Sequence, residues 1–300
     1  MKKKQHSLLL GAHMSIAGGF ASSLEQGESI GCTAIQLFTK SNRQWAAKAI
    51  SETEIEHFHE TLKKSSIKVV VAHATYLINL ASPDNVTAKK STTAVQNELD
   101  RCDLLNIPYL VLHPGSRLDS DERDSLQRIA DNLNQAMTKS SSKTMILLET
   151  MAGQGSTVGN TFEQLAFIRS QSEFKTKVGI CLDTCHVFAA GYDLRTKASY
   201  TKMWQDFDDI IGLSHLKTIH LNDSKKEFGS QVDRHADIGK GELGLEAFTL
   251  LMNDERLFDV PKILETPKKD GLAEDLVNLN TIKSLLSPKT KKMVGFEEEE

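Results

Sequence analysis

Short β-rich apolar runs recur along this chain, each followed by a longer stretch in which apolar residues return at helical spacing. The runs lie at 8–11, 34–38, 68–72, 109–112, 145–148, 178–182, 218–221 and 261–264. Their length and aliphatic content read as buried strands. The stretches at 19–30, 52–65, 87–105, 121–138, 161–171, 200–213, 245–253 and 272–286 read as helices. Parallel strands need helical crossovers, so this alternation predicts an α/β fold, a single closed (β/α)8 TIM barrel. An open doubly wound sheet is the other architecture that it allows. No internal repeat or linker divides the chain. Residues 1–287 are therefore expected to form the barrel domain, and 288–300 a polar, disordered tail.

Composition changes this picture little. A chain of 300 residues with 39% hydrophobic content can bury a substantial core. No apolar run approaches the roughly 20 residues needed to span a bilayer, so a cytoplasmic protein with no membrane partner is expected. The four cysteines, Cys32, Cys102, Cys181 and Cys185, are too sparse for a disulfide scaffold and fit a reducing compartment. Cys181 and Cys185 are not a Cys-x-x-Cys pair and read as packing thiols. The net charge of −4 argues at first against a polyanionic partner. Setting aside the terminal run Glu297 to Glu300 leaves 36 acidic residues (40 less 4) against 36 basic ones. A neutral body leaves nucleic acid open, provided that local cations or bound metals meet the phosphates.

The candidate chemistry lies at the ends of the strands. His13 follows the first, His73 the third, His113 the fourth and Glu149 the fifth. Asp183 and His186 follow the sixth, His220 and Asp223 close the seventh, Asp233 and His235 sit in the loop beyond it, and Glu265 ends the eighth. In a TIM barrel all C-terminal strand ends share the face where active sites form, so these residues are expected to be neighbours. Mixed imidazole and carboxylate donors suit zinc, manganese or iron, whereas magnesium and calcium prefer oxygen. One such histidine alone reads as a hydrogen-bonded structural residue, but the convergence of several points to a metal site. His6, His57, His59 and His215 read as surface residues, and His13 as a support for the ligands. The five histidines His73, His113, His186, His220 and His235 with the four carboxylates Glu149, Asp183, Asp233 and Glu265 make nine donors, which exceed one four-coordinate ion and suggest two or three metals, an arrangement suited to phosphodiester hydrolysis.

The ordered segments Gly11-Ala12-His13-Met14-Ser15, Asn42-Arg43-Gln44-Trp45, Tyr76-Leu77-Ile78-Asn79-Leu80, Leu112-His113-Pro114-Gly115-Ser116, Asp183-Thr184-Cys185-His186, His220-Leu221-Asn222-Asp223-Ser224, Asp233-Arg234-His235 and Leu264-Glu265-Thr266-Pro267 carry a likeness over roughly residues 8–286. They resemble the endonuclease IV family of zinc-dependent apurinic/apyrimidinic endonucleases. The resemblance implies three Zn2+ per chain: one on His73, His113 and Glu149, a second on Glu149, Asp183, His220 and Glu265, a third on His186, Asp233 and His235. It implies Glu149 and Glu265 as catalytic residues, and Arg43, Tyr76, Leu77 and Arg234 as DNA contacts. Without the resemblance, Arg43 reads as a surface cation, and Tyr76 and Leu77 as packing residues. The implied reaction is hydrolysis 5′ to abasic sites in double-stranded DNA, leaving a 3′-hydroxyl and a 5′-deoxyribose phosphate. Removal of 3′-blocking groups and action as a monomer belong to the same expectation.

Two other classes share parts of this pattern. A sugar isomerase or epimerase would use a set like Glu149, Asp183, His220 and Glu265, but needs neither His186, Asp233 and His235 nor the Asn42 to Trp45 loop. A non-catalytic DNA-binding barrel would be expected to lack ligands, and this chain keeps the full set.

Overall fold

The computed structural model describes residues 6–268 and 271–296. Eight parallel strands, Leu10–His13, Ala34–Phe38, Val69–His73, Tyr109–Leu112, Met145–Glu149, Val178–Asp183, Leu216–Leu221 and Lys262–Leu264, follow one another around a closed barrel. The first pairs with both the second and the eighth, which removes the open-sheet alternative. Helices α1 (Phe20–Ser29), α2 (Glu52–Lys64), α3 (Asn85–Leu104), α4 (Glu122–Lys139), α5 (Phe162–Gln171), α6 (Thr184–Ala190), α7 (Lys197–Ile210), α8 (Gly244–Met252), α9 (Ala273–Ser284) and α10 (Pro288–Val294) connect and follow these strands.

Side chains alternate along a strand, and this alternation decides what each apolar run packs against. Val71, Val111, Leu147 and Cys181 form a cluster of their own inside the barrel. Their neighbours Val70, Ala72, Leu110, Leu112, Ile146, Leu148, Ile180 and Leu182 belong instead to the large core shared with the helices. Two residues beyond each member of the inner cluster stand His73, His113, Glu149 and Asp183. The inward column of these four strands thus runs from apolar packing to a titratable group at the C-terminal mouth.

Three expectations are corrected. The first strand runs Leu10–His13 rather than 8–11, because Gly11 pairs opposite Ala34. The approach there is close: a Cβ on residue 11 would fall 1.6 Å from the Ala34 carbonyl oxygen. Apolarity alone did not mark that register. Helix α6 gave no helical signal because six of its seven residues are buried, leaving no polar stripe to set a period. Finally, the tail expected to be disordered from 288 instead forms α10. Ser287 caps it by accepting from Thr290 N–H, Pro288 occupies its first turn, and Asn253 Oδ1 accepts from both Ser287 N–H and Thr290 Oγ1. Its many lysines hid the two positions, Thr290 and Val294, that are buried. Glu297 to Glu300 lie outside the described residues.

Candidate metal centre

Glu149, at the end of the fifth strand, is fully buried and stands at the middle of the mouth. Its Oε2 lies 3.2 Å from His73 Nε2 and 3.1 Å from His113 Nε2, and its Oε1 lies 3.1 Å from His220 Nδ1. His220 Nδ1 is also 3.2 Å from Glu265 Oε2 and 3.8 Å from Asp183 Oδ2. On the far side, Asp233 lies 3.2 Å from His186 Nε2 and 3.3 Å from His235 Nε2. Potential donor atoms fall within 4.8 Å of one another in the groups His73, His113, Glu149; Glu149, Asp183, His220, Glu265; and Asp183, His186, His235. A further group joins Cys185 to Asp233 and His235, but burial pushes that thiol up to about 12, so it is protonated near neutral pH. All nine expected residues come together. The expected third group of His186, Asp233 and His235 is divided: donor atoms of His186 and His235 gather with Asp183, and those of Asp233 and His235 with Cys185.

Local structure aims these groups. Asp183 is the N-cap of α6, where its Oδ1 accepts from His186 N–H at 2.9 Å, which places His186 one turn along. Asn222 Nδ2 donates to Asp183 Oδ2 at 2.6 Å, while Glu265 N–H donates to Asn222 Oδ1 at 3.0 Å. The segments Asp223–Ser224 and His235–Ala236 pair antiparallel, carrying Asp233 and His235 back over the mouth. Asp223, which sequence reasoning also placed at this rim, is used differently. Its carboxylate accepts backbone N–H groups of Ser224, Gly239, Gly241 and Leu243, so it shapes the loop. At Gly241 a Cβ would lie 2.3 Å from the Ser224 carbonyl oxygen.

Carbonyl oxygens can only accept, so they fix the histidine tautomers. His73 Nδ1 donates to Ala74 O at 2.7 Å, His186 Nδ1 to Thr150 O at 2.8 Å and His235 Nδ1 to Glu265 O at 3.0 Å. In each ring this turns Nε2 toward the cluster, where a bound metal would take its lone pair, the orientation that metal-binding histidines take. The Nε2 atoms of His186 and His235 are buried and make no hydrogen bond. Buried polar atoms left without a partner are costly, and a cation meeting both rings would satisfy them, so the donor set fits metal ions. Burial pushes the Glu149 carboxyl up, yet the surrounding imidazoles, His220 first, hold it well below the usual range. For Glu265 burial is likewise outweighed, chiefly by His220, and the group sits at about 2. Both carboxylates are ionised and able to act as ligands.

Above the centre the remaining expected residues are exposed or half-buried. Tyr76 is 54% exposed, and its ring leans on those of His73 and His113, with centroids 5.3 and 5.5 Å apart. Leu77 is half-buried beside it, while Arg43 and Arg234 are exposed. The 41–50 loop that bears Arg43 has no helix or strand, but it is pinned from beneath. Buried Lys40 donates to Trp45 O at 3.0 Å and lies 3.5 Å from buried Glu98 of α3. Arg101, also on α3, donates to Thr39 O at 3.1 Å and Lys48 O at 2.8 Å, and Thr75 Oγ1 donates to Asn42 O at 2.7 Å. A cavity of about 580 Å³ beside His13 includes Met14, Phe38, Lys40, Asn42 and Lys268 in its walls. His13 in its wall lies 3.8 Å from Glu265 of the donor cluster.

Sequence reasoning missed Gln36, Asn222 and Thr150. Gln36 offered a signal, being the polar residue in the apolar run Ala34-Ile35-Gln36-Leu37-Phe38. Asn222 and Thr150 offered none, since their partners lie on other strands.

A closed parallel barrel whose mouth gathers histidines and carboxylates around a buried glutamate defines a metal-centred TIM-barrel enzyme. The model of the family described as xylose isomerase-like TIM barrel matches residues 24–282. The probable endonuclease 4 of Chloroflexus aurantiacus is 47% identical over 277 residues, 92% of this chain and 97% of that one. The crystal structure of endonuclease IV from Thermus thermophilus superposes with a TM-score of 0.82 at 34% identity, covering 92% of this chain and 98% of that one. A D-tagatose 3-epimerase-like protein matches with a TM-score of 0.67 at 20% identity, covering 95% of this chain and 98% of that one, which reflects the shared fold alone. The chain belongs to the endonuclease IV family, and it is an enzyme, a nuclease. Among the described residues no helix is long and apolar enough to cross a membrane.

Proposed function

We propose that this chain is a DNA-repair apurinic/apyrimidinic endonuclease. It hydrolyses the phosphodiester 5′ to abasic sites in double-stranded DNA, leaving a 3′-hydroxyl and a 5′-deoxyribose phosphate, and removes phosphates and sugar fragments that block 3′ ends. The observation that carries this reading is the run of nine donors around Glu149, with two buried imidazole nitrogens that lack any hydrogen bond. Three zinc ions would be held, one by His73, His113 and Glu149, one by Glu149, Asp183, His220 and Glu265, and one by His186, Asp233 and His235. Bound there, zinc supplies Lewis acidity and counter-charge to a phosphate ester, and it favours water deprotonation near neutral pH. One chain provides all nine residues, so the reading requires only a monomer.

The protein's own groups do the rest. Glu265, ionised and held by Gln36 and Asn222, is placed to orient attacking water and accept its proton. Glu149 keeps the flanking imidazoles in one geometry. A nucleotide without its base has little stacking to lose and leaves the duplex cheaply. Tyr76 and Leu77 fill the space it vacates, with Arg43 beside them on a pinned loop, and Arg234 meets backbone phosphate. A sugar epimerase would use the same fold, but the second triad of His186, Asp233 and His235 and the 41–50 loop favour the nuclease reading. End-group analysis of a duplex carrying one abasic-site analogue tests it. The expected product has a 3′-hydroxyl and a 5′-terminal abasic residue. Cleavage on the 3′ side of the lesion, or none by zinc-replete folded protein, would refute it.

A further inference from the structure

Gln36 occupies an unusual place. It lies on the second strand, whose barrel neighbours are the first and third, yet its amide crosses the lumen to side chains of the seventh and eighth. The residue is fully buried. Its Nε2 donates to Glu265 Oε1 at 2.6 Å, its Oε1 lies 2.8 Å from His220 Nε2, and its Nε2 also lies 3.1 Å from His13 Nδ1.

These contacts fix which way the amide faces. An ionised carboxylate can only accept, so the nitrogen of the amide must face Glu265 and the oxygen must face His220. Against a carbonyl oxygen, His220 Nε2 must carry a proton. That leaves His220 Nδ1 as the nitrogen facing Glu149, Glu265 and Asp183, where a bound metal would take its lone pair. The second N–H of the amide requires His13 Nδ1 to be an acceptor, so His13 is neutral. The other three histidines whose tautomers are fixed use backbone carbonyls for this purpose. His220 alone among these four is served by a side chain, and that side chain also holds a second donor of the same group.

We propose that Gln36 is a positioning residue for the metal held by Glu149, Asp183, His220 and Glu265: one amide sets the His220 tautomer and the Glu265 orientation together. His13 ends this relay as an acceptor and is not a ligand. The proposal rests on the zinc reading given above. Residues that orient ligands in this way typically govern metal affinity by about 10- to 100-fold.

The test compares zinc-loaded wild type, Gln36→Met and Gln36→Glu in a competition against a chromogenic chelator, with histidine-labelled protein examined by nitrogen-15 NMR. In wild type the proton of His220 resides on Nε2. Gln36→Met is expected to release one class of zinc about 10- to 100-fold faster, with the other classes unchanged and the His220 proton no longer confined to Nε2. Gln36→Glu keeps the acceptor for His220 but loses the donor to Glu265, so it should fall between the two. Release at the wild-type rate from both variants, with an unchanged His220 ring, overturns the relay while leaving the zinc reading intact. Should Gln36→Met not fold, wild-type release from the isosteric Gln36→Glu has the same force. Wild-type protein that takes up no zinc overturns both.

Discussion

Glu149, Asp183 and His220 are fully buried at strand ends, each held by groups from other strands, whereas Arg43, Tyr76 and Arg234 stand exposed on the loops above them. The first set is positioned by the barrel itself, because strand alternation gives Glu149, Asp183 and His220 the same facing as Leu147, Cys181 and Thr218, all buried, two places earlier. The second set is positioned by what lies beneath it, such as the Lys40, Glu98 and Arg101 network under the 41–50 loop. Changes in the strand-end set should therefore destroy chemistry, and changes in the loop set should weaken recognition while leaving the metal centre whole.

The largest effect is expected from Glu149→Ala, which removes the carboxylate shared by two donor groups. Cleavage of an abasic duplex should fall by at least about 1,000-fold, roughly 4 kcal/mol of barrier, with an unchanged circular dichroism spectrum. A variant within tenfold of wild type would place the chemistry elsewhere. His186→Ala comes next: metal analysis should find about one zinc fewer per chain, since Asp233 and His235 alone make a poor site. Retention of the full complement would assign His186 a purely structural place.

Smaller effects probe the loops. Tyr76→Ala removes a ring that rests on His73 and His113, and binding to an abasic duplex should weaken by about 1–3 kcal/mol while zinc content is unchanged. Unaltered affinity would mean that Tyr76 shields the ligands and does not touch the lesion. The smallest change belongs to Arg234→Ala, where the slope of log affinity against log salt should decrease in magnitude by about 1. An unchanged slope would remove its phosphate contact.

The same comparison explains what could be read from the chain alone. Strand-end chemistry was legible because each run carries its own period, and His73, His113, Glu149, His220 and Glu265 all lie within two residues of an apolar run. Asp233 and His235 were legible only as rim-loop residues, since the hairpin that returns them depends on Asp223 gathering distant backbone amides. Gln36 stood out by polarity, but its partners His220 and Glu265 are reached only across the lumen. Helix α6 is too fully buried to show a polar face, and α10 too rich in lysine to show its two buried positions.

The most direct measurement is a zinc titration of chelator-stripped, folded protein, followed by the rate of incision of a duplex bearing one abasic-site analogue. The expected result is no incision without metal and a rate that climbs with added zinc until about three equivalents per chain are bound, consistent with a multi-metal hydrolytic site. Full-rate incision by the stripped protein, in the continued presence of chelator, would contradict a metal centre built on Glu149.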